Sequence, residues 1–275
     1  MWLSDNTVWP YRLRRGRAPL VVSMPHVGTF IPRAINSALA DCAVRRPDTD
    51  WHLPRLYAFV EAMGATVIAA THSRYVVDLN RPPDGANLYP GRDTPRLCPV
   101  DTFAQEPLYR GAVEPGAAEI TRRLKEVWHP YHRRLRTELE RVRAEHGIAM
   151  LWDAHSIAPE VPRLFEGRLP HLNLGTASGA ACDPRLAASL LEALRRHADY
   201  ESVLDGRFTG GYITRTYGRP AEGIHAFQLE MTTDCYMEGA SPYGYRADLA
   251  ARVQPVLQEQ LALVLAWAAV NRPAP

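Results

Sequence analysis

The chain has 275 residues, with 32 lysines and arginines against 30 aspartates and glutamates, and 46% of its residues are hydrophobic. A chain of this length and apolar content can bury a sizeable core, so the composition excludes a disordered chain, a collagen-like chain and a disulfide scaffold. The formal net charge of only +2 provides no basic field, so no nucleic-acid partner is expected. We expect one domain over residues 1–275.

The cysteines and the N-terminal residues indicate the cellular compartment in which the protein is expected. Cys42, Cys98, Cys182 and Cys235 are dispersed, and no two of them form a C-x-x-C pair. The N-terminal residues lack a long apolar stretch before a small-residue cleavage site. No window reaches about 18 uninterrupted apolar residues, so no transmembrane helix is expected. These features predict a cytoplasmic protein with free thiols and no contact with a membrane.

Short strands and helices alternate along the chain, which predicts an α/β fold with a mixed, mainly parallel sheet. In chain order, hydrophobic spacing and turn residues predict a strand at 19–24, a helix at 51–63, one or two strands within 65–82, a long loop over the site at 84–115, a helix at 117–145, strands at 148–153 and 171–176, a helix at 184–198, a strand at 224–231 and a helix at 245–271. Pro130 is expected to kink or break the second helix.

Polar side chains lie at the ends of three predicted strands, where open α/β sheets bind ligands. His26 follows the first strand, His155 follows the run at 148–153, and Glu230 lies within the run at 224–231. Two histidines and a carboxylate can bind one zinc ion and leave a fourth position for water. The segment from Asp48 to Asp50 offers that carboxylate, and Glu230 is placed to take a proton from the water.

Each candidate also has an ordinary structural explanation. A single histidine after a strand is more often structural than a ligand. Asp50 is a suitable N-cap for the helix predicted to follow it. Glu230 in an apolar strand could pair with an arginine instead, and His129 and His132 suit a solvated or packed helix face. Asp153, two residues before a metal histidine, is expected to accept a hydrogen bond from that ring.

Arginines in two segments suggest a receptor for carboxylates. The run SRYVVDLNRP places Arg74, Asn80 and Arg81 near a predicted strand end. An arginine fork beside an amide donor suits a small carboxylate. Arg215 follows a pair of glycines at 210–211 and is a second candidate, with a surface salt bridge as its alternative. Two such receptors would suit a small-molecule dicarboxylate substrate.

Seven segments taken together resemble the N-formylglutamate amidohydrolase (N-formylglutamate deformylase) family. They are SMPHVGTFIP, PDTDWHLPRLYAF, SRYVVDLNRP, MLWDAHSI, LFEGRLPHLNLGT, GRFTGGYITRTYG and FQLEMTTDCYM. The resemblance implies metal-dependent hydrolysis of N-formyl-L-glutamate to formate and L-glutamate in histidine degradation. The alternative is an amidohydrolase or deacylase that uses the same metal centre on another N-acyl or N-carbamoyl amino acid.

That family is distantly similar to zinc carboxypeptidases and aspartoacylase, which implies a three-layer α/β/α fold like that of the zinc exopeptidases. The similarity matches His26 and His155 to two metal-binding histidines. Thr29 stands where the related motif has its ligating glutamate, so a carboxylate from elsewhere must complete the set. Asp50 is the expected ligand, and Asp48 is the alternative.

The resemblance and the residues together predict the remaining roles. Zn²⁺ is the expected ion, and Co²⁺, Mn²⁺ or Fe²⁺ would suit similar ligands. Glu230 is expected to take a proton from the water and deliver it to the leaving amine, with Arg74 beside the developing negative charge. Asn80, Arg81 and Arg215 are expected to hold the substrate carboxylates. The sequence leaves the oligomeric state open.

Overall fold

A computed structural model describes residues 8–89, 91, 93–112 and 114–271. Within these ranges, the strands form one seven-stranded sheet. The strands are Tyr11–Arg14 (β1), Leu20–Met24 (β2), Thr66–Ala70 (β3), Ala149–Ile157 (β4), Leu172–Gly175 (β5), Ser202–Leu204 (β6) and Ile224–Thr232 (β7). Their order across the sheet is β1-β3-β2-β4-β7-β5-β6.

The sheet is mixed and mainly parallel, as predicted. The pairs β2·β3, β2·β4, β4·β7 and β5·β6 are parallel, whereas β1·β3 and β5·β7 are antiparallel. The four central strands therefore run in the same direction. Because the carboxyl ends of parallel strands lie at one edge, the segments after β2, β3, β4 and β7 are brought together there.

Helices cover both faces of the sheet. They are Arg33–Asn36 (α1), Asp41–Arg45 (α2), Leu53–Leu56 (α3), Ala117–Arg123 (α4), His129–His146 (α5), Pro184–Arg195 (α6), Tyr212–Tyr217 (α7) and Ala247–Asn271 (α8). Alternate side chains of β4 point to opposite faces. Met150 and Trp152 pack in one core with α3, α6 and α8, whereas Ala149 and Leu151 pack in the other with α5 and α7. The protein thus has the three-layer α/β/α architecture that was expected.

Most of the predicted elements are confirmed, and several short elements were not predicted. Neither β1 nor β6 has an apolar run long enough to signal a strand. The predicted helix at 51–63 is two short pieces, α3 and a 3₁₀ turn at Ala58–Glu61. The apolar segment 75–79 is a buried loop rather than a second strand after β3, because the backbone turns where the N–H of Asn80 donates to the carboxylate of Asp78 at 2.8 Å.

The helix across Pro130 continues instead of breaking. A π-helical turn at Leu124–Trp128 joins α4 to α5, and Pro130 stands in the first turn of α5. The wider turn accommodates a residue that has no N–H to donate. Gly147 ends α5 in the left-handed conformation with φ of 74°, as glycine does at helix ends.

The C-terminal helix α8 is the one helix in the described ranges that is long and apolar enough to cross a membrane by length and composition. Its residues Val253, Leu257, Leu261 and Val264 are buried in the core on one face of the sheet. One face of α8 therefore packs against the sheet.

Candidate active site

Two histidines and an aspartate meet at the carboxyl edge of the sheet. His26 follows β2, His155 lies near the end of β4, and Asp50 precedes α3. The Nδ1 atoms of the two imidazoles are 3.2 Å apart, and Oδ2 of Asp50 lies 3.5 Å from Nδ1 of His155 and 3.9 Å from Nδ1 of His26. All three side chains are buried, and their ligand atoms lie within 4.8 Å of one another. The backbone N–H of Asp50 donates to the carbonyl of His26 at 3.1 Å, which ties this loop to the end of β2.

The outer nitrogens of both rings contact buried carboxylates. Nε2 of His26 lies 2.7 Å from Oδ1 of Asp78, and Nε2 of His155 lies 2.8 Å from Oδ2 of Asp153. A carboxylate acceptor favours the proton on Nε2, which leaves the lone pair of Nδ1 free to bind a metal. The predicted contact of Asp153 is confirmed. The equivalent role of Asp78 was missed, although its carboxylate stands within the SRYVVDLNRP segment.

Asp50 has the environment of a metal ligand. Both of its carboxylate oxygens are buried without a hydrogen-bond partner among the described residues, which is costly for a charged group unless a cation compensates it. Asp50 is not the N-cap of α3, since His52 takes that position and no side chain caps the helix. The carboxylate of Asp48 instead accepts from the hydroxyl of Tyr75 at 2.8 Å and the N–H of Phe103 at 3.0 Å. The residues His26, Asp50 and His155 therefore fit a divalent metal ion.

Glu230 lies next to this cluster. In the parallel pair β4·β7, Glu230 is in register with His155. Burial raises the pKa of Glu230 to about 8, with the positive charge of His155 opposing the shift and the charge of Asp50 adding to it. Across the described ranges no arginine forms an ion pair with this carboxylate, while the side-chain amide of Gln228 donates to it at 3.3 Å. A buried carboxyl with a raised pKa in a pocket is typical of a general acid or base.

Arg74 is a buried cation on the wall of the pocket. Its Nη2 donates to Oδ2 of Asp78 at 2.7 Å, and its Nη1 donates to the carbonyl of Asp48 at 3.3 Å. Burial alone would lower the pKa of Arg74, but the negative charge of Asp78 raises it above its ordinary value. The other oxygen of Asp78 contacts His26, so one carboxylate positions both a ring and a guanidinium.

Asn80 and Arg81 also line the pocket. The side-chain carbonyl of Asn80 accepts from the N–H of Ile213 at 2.9 Å, and its amide nitrogen lies 3.1 Å from Nε2 of His155. Arg81 donates to the backbone carbonyls of Asn80 and Pro95 at 3.3 and 3.2 Å. Burial lowers the pKa of Arg81, and the negative charge of Asp78 opposes this shift only in part. No carboxylate in the described ranges forms a salt bridge with Arg81. Such a cation suits a bound carboxylate.

Arg215 lies outside this group. Its side chain is exposed, and it donates to the carbonyl of Gly210 at 2.8 Å and to the hydroxyl of Thr209 at 2.9 Å. Its guanidinium also lies 5.2 Å from the ring centroid of Tyr89. No salt bridge of Arg215 occurs in the described ranges, so the surface ion pair considered as its alternative is absent there. Arg215 supports the turn before α7 and is not among the residues that line the pocket with Asn80 and Arg81.

Several residues that complete the pocket were not singled out from the sequence. The predicted loop at 84–115 contributes Tyr89 and Phe103 to the lining of the pocket. Gly211 lies so close to Asn80 that a Cβ atom would stand 2.3 Å from its side-chain nitrogen. The N–H of Gly211 donates to the side-chain carbonyl of Gln228 at 2.7 Å. The paired glycines were the one signal for this close approach.

The histidines on α5 are not part of the site. His132 is buried, stacks on Trp128 with ring centroids 3.8 Å apart, and contacts the hydroxyl of Tyr217 at 3.0 Å and the carbonyl of Leu79 at 2.9 Å. His129 is exposed. Both therefore have the structural explanation that was expected for them.

Residues 18–237 match the model of the N-formylglutamate amidohydrolase family. The chain belongs to this family. It is similar to an N-formylglutamate deformylase of Pseudomonas aeruginosa, with 52% identity over 254 residues that cover 92% of this chain and 95% of the relative. An N-formylglutamate deformylase of Pseudomonas putida is 49% identical over 255 residues, covering 93% of this chain and 95% of the relative. As a member of this family, the chain is an amidohydrolase.

Solved structures agree with the family and the fold. The crystal structure of N-formylglutamate amidohydrolase from Ralstonia eutropha JMP134 has a TM-score of 0.79 and 26% identity, and covers 96% of this chain and 99% of that chain. A protein from Agrobacterium tumefaciens shares the fold, with a TM-score of 0.69 at 17% identity, covering 94% of this chain and 96% of that chain.

Proposed function

We propose that this amidohydrolase cleaves N-formyl-L-glutamate to formate and L-glutamate, using a divalent metal ion held by His26, Asp50 and His155. The observation that carries the proposal is the pair of unpartnered, buried carboxylate oxygens of Asp50 beside two imidazole Nδ1 atoms. Relatives about half identical to this chain bear the name N-formylglutamate deformylase. A role in histidine degradation follows from the family resemblance, and a cytoplasmic location follows from the dispersed cysteines; both belong to the same proposal.

The ligand chemistry favours Zn²⁺. Two imidazole nitrogens and one carboxylate form a mixed set that suits zinc better than Mg²⁺ or Ca²⁺, which prefer oxygen ligands. A zinc ion bound there would polarise the formyl carbonyl and lower the pKa of a bound water to ~7. Asp78 and Asp153 would keep both rings oriented and Nδ1 deprotonated.

Glu230 moves the proton in this scheme. Its carboxylate accepts a proton from the attacking water and returns it to the amine nitrogen as the C–N bond breaks. Burial, which raises the pKa of Glu230 to about 8, makes the protonated carboxyl available near neutral pH. The nearby charge of Arg74 opposes that shift and favours the carboxylate that must first accept the proton.

The arginines bind and orient the substrate. Arg74, held in place by Asp78, faces the pocket where negative charge develops on the carbonyl oxygen, and a fixed cation stabilises that charge without reorganisation. Arg81 and Asn80 would bind a glutamate carboxylate at the other side of the pocket. Arg215, through Tyr89 and the turn at 209–210, would act on the shape of the pocket rather than on the substrate itself.

The test is release of formate from N-formyl-L-glutamate by the purified enzyme, before and after chelation and after return of zinc. Activity lost with the chelator and regained with zinc supports both the substrate and the metal. No formate with any metal would overturn the proposed substrate, and the same preparation would then be assayed with acetyl, succinyl and carbamoyl amino acids.

Glu230→Gln tests the proton transfer and should lower kcat by on the order of 10²–10⁴. Glu166→Gln, a matched change of an exposed glutamate, should leave it unaltered. Near-normal turnover of Glu230→Gln would exclude the proposed role of that carboxyl.

A further inference from the structure

Two cavities meet at a wall that includes Phe103. The catalytic pocket has a volume of about 50 Å³, and a cavity of about 200 Å³ lies beside it. Phe103, Ser156 and Ile157 line both cavities and so lie at their boundary. We infer that Phe103 determines the acyl specificity of the enzyme, because its ring closes the catalytic pocket toward a larger cavity that would otherwise accept longer acyl groups. This inference rests on the proposed amidase function.

Phe103 is the part of the wall that can change without altering the sheet. Ser156 and Ile157 are the last residues of β4, and their positions are set by pairing with Met231 and Thr232 of β7. Phe103 instead belongs to the loop at 84–115. Its N–H donates to Asp48 at 3.0 Å, which is a backbone contact that a substitution of the side chain would keep.

With Arg74 at the carbonyl oxygen as proposed, the acyl end of the substrate would lie beside Phe103. The guanidinium carbon of Arg74 lies 4.8 Å from the centroid of the Phe103 ring, and Arg74 is the cation proposed to face the carbonyl oxygen. Asn80 and Arg81, which would hold a carboxylate of the glutamate moiety, do not line the second cavity. A group attached to the acyl carbon would therefore extend toward Phe103 and meet its ring.

The second cavity has the chemistry of a site for a neutral acyl chain. Its lining is largely apolar and includes Pro47, Ala104, Val161 and Pro162. Asp48 and Glu160 also line it, whereas no arginine or lysine among the described residues does. Two carboxyl groups would disfavour an anionic acyl chain such as succinyl. Removal of the Phe103 ring should therefore admit acetyl and propionyl groups more readily than succinyl.

The experiment compares the wild type with Phe103→Ala and with Phe165→Ala. Phe165 lies in the same apolar cluster but lines neither cavity, so it is a matched control for loss of a phenyl ring. The readout is the ratio of kcat/KM for N-propionyl-L-glutamate to that for N-formyl-L-glutamate. In a Glu230→Gln background, calorimetry gives the ratio of the two dissociation constants without turnover, and thermal unfolding confirms that each variant is folded.

We expect Phe103→Ala to raise the propionyl-to-formyl ratio by at least ~10-fold, since one or two methylene groups in an apolar pocket change specificity by roughly 10–200-fold. The ratio of kcat/KM for N-succinyl-L-glutamate to that for N-formyl-L-glutamate should rise less. Phe165→Ala should leave both ratios unchanged. An unchanged ratio in folded Phe103→Ala, or an equal gain in Phe165→Ala, would overturn the inference. Formate release by the wild type tests the proposed function separately. The ratio of the two dissociation constants tests the role of Phe103 even if no formate is released.

Discussion

Replacement of Asp78 by asparagine tests how the buried carboxylates prepare the metal site. Oδ1 of Asp78 contacts Nε2 of His26 at 2.7 Å and accepts from the N–H of Asn80 at 2.8 Å, while Oδ2 accepts from Arg74 at 2.7 Å. All three partners are donors when the metal-binding tautomer of His26 is present. An asparagine side chain has one acceptor oxygen, so either orientation of the amide directs its NH₂ group at a donor.

The expected loss of metal affinity and of stability depends on which donors lose their acceptor. Arg74 is a permanent cation in a site where its side chain is 7% exposed, so the amide oxygen should turn toward it. His26 and the backbone N–H of Asn80 then lose their acceptor. Loss of the outer partner of a metal-binding histidine costs roughly 10–100-fold in metal affinity. The change corresponds to about 1.4–2.8 kcal/mol. The unfolding free energy should also fall, by about 1–3 kcal/mol for each of the two buried donors that are left without an acceptor.

The assay is competition for zinc against a chromophoric chelator, with thermal unfolding of the same samples. Asp153→Asn removes the acceptor of His155 and should weaken metal binding to a similar degree. Asp199→Asn, a change of an exposed aspartate, is the control and should bind zinc as the wild type does. A zinc affinity of Asp78→Asn within about twofold of the wild type would refute the reasoning, given that loss of an outer partner usually costs tenfold or more.

Three further perturbations probe other parts of the structure. Gly211→Ala should lower kcat/KM by on the order of 10²-fold without unfolding the protein, since a Cβ atom 2.3 Å from the Asn80 side chain must displace it; steady-state kinetics near wild-type values would contradict this. Chelation should lower the thermal midpoint of the wild type but not of Asp50→Ala, because only a protein that binds the ion is stabilised by it; scanning calorimetry with and without chelator distinguishes the two. Burial would raise the pKa of Glu138, but hydrogen bonds from Arg15 and Arg141 hold it below the ordinary value of 4.5. Its stabilising contribution should be complete above that pH and disappear as pH falls through the lower folded value, so unfolding of Glu138→Gln should depend less on pH in acid than that of the wild type.

The sequence by itself determined the strands that carry the site. Short apolar runs ending in histidine predicted β2 and β4, and their parallel pairing followed from the alternation of strands and helices. Once both strands are in one sheet, His26 and His155 must lie at the same edge, whatever connects them. These predictions succeeded because they depend on local periodicity and on the geometry common to parallel sheets.

Only the tertiary structure decided which carboxylates belong to the site. The sequence favoured Asp50 over Asp48 without excluding either. The fold gives the Asp48 carboxylate two hydrogen-bond donors and, among the described residues, leaves the Asp50 carboxylate with none. The role of Asp78 and the place of Arg215 outside the pocket likewise depend on loops whose paths no periodicity predicts. Whether a buried charge finds a partner is a property of residues distant in sequence, and it is settled only when the chain has folded around it.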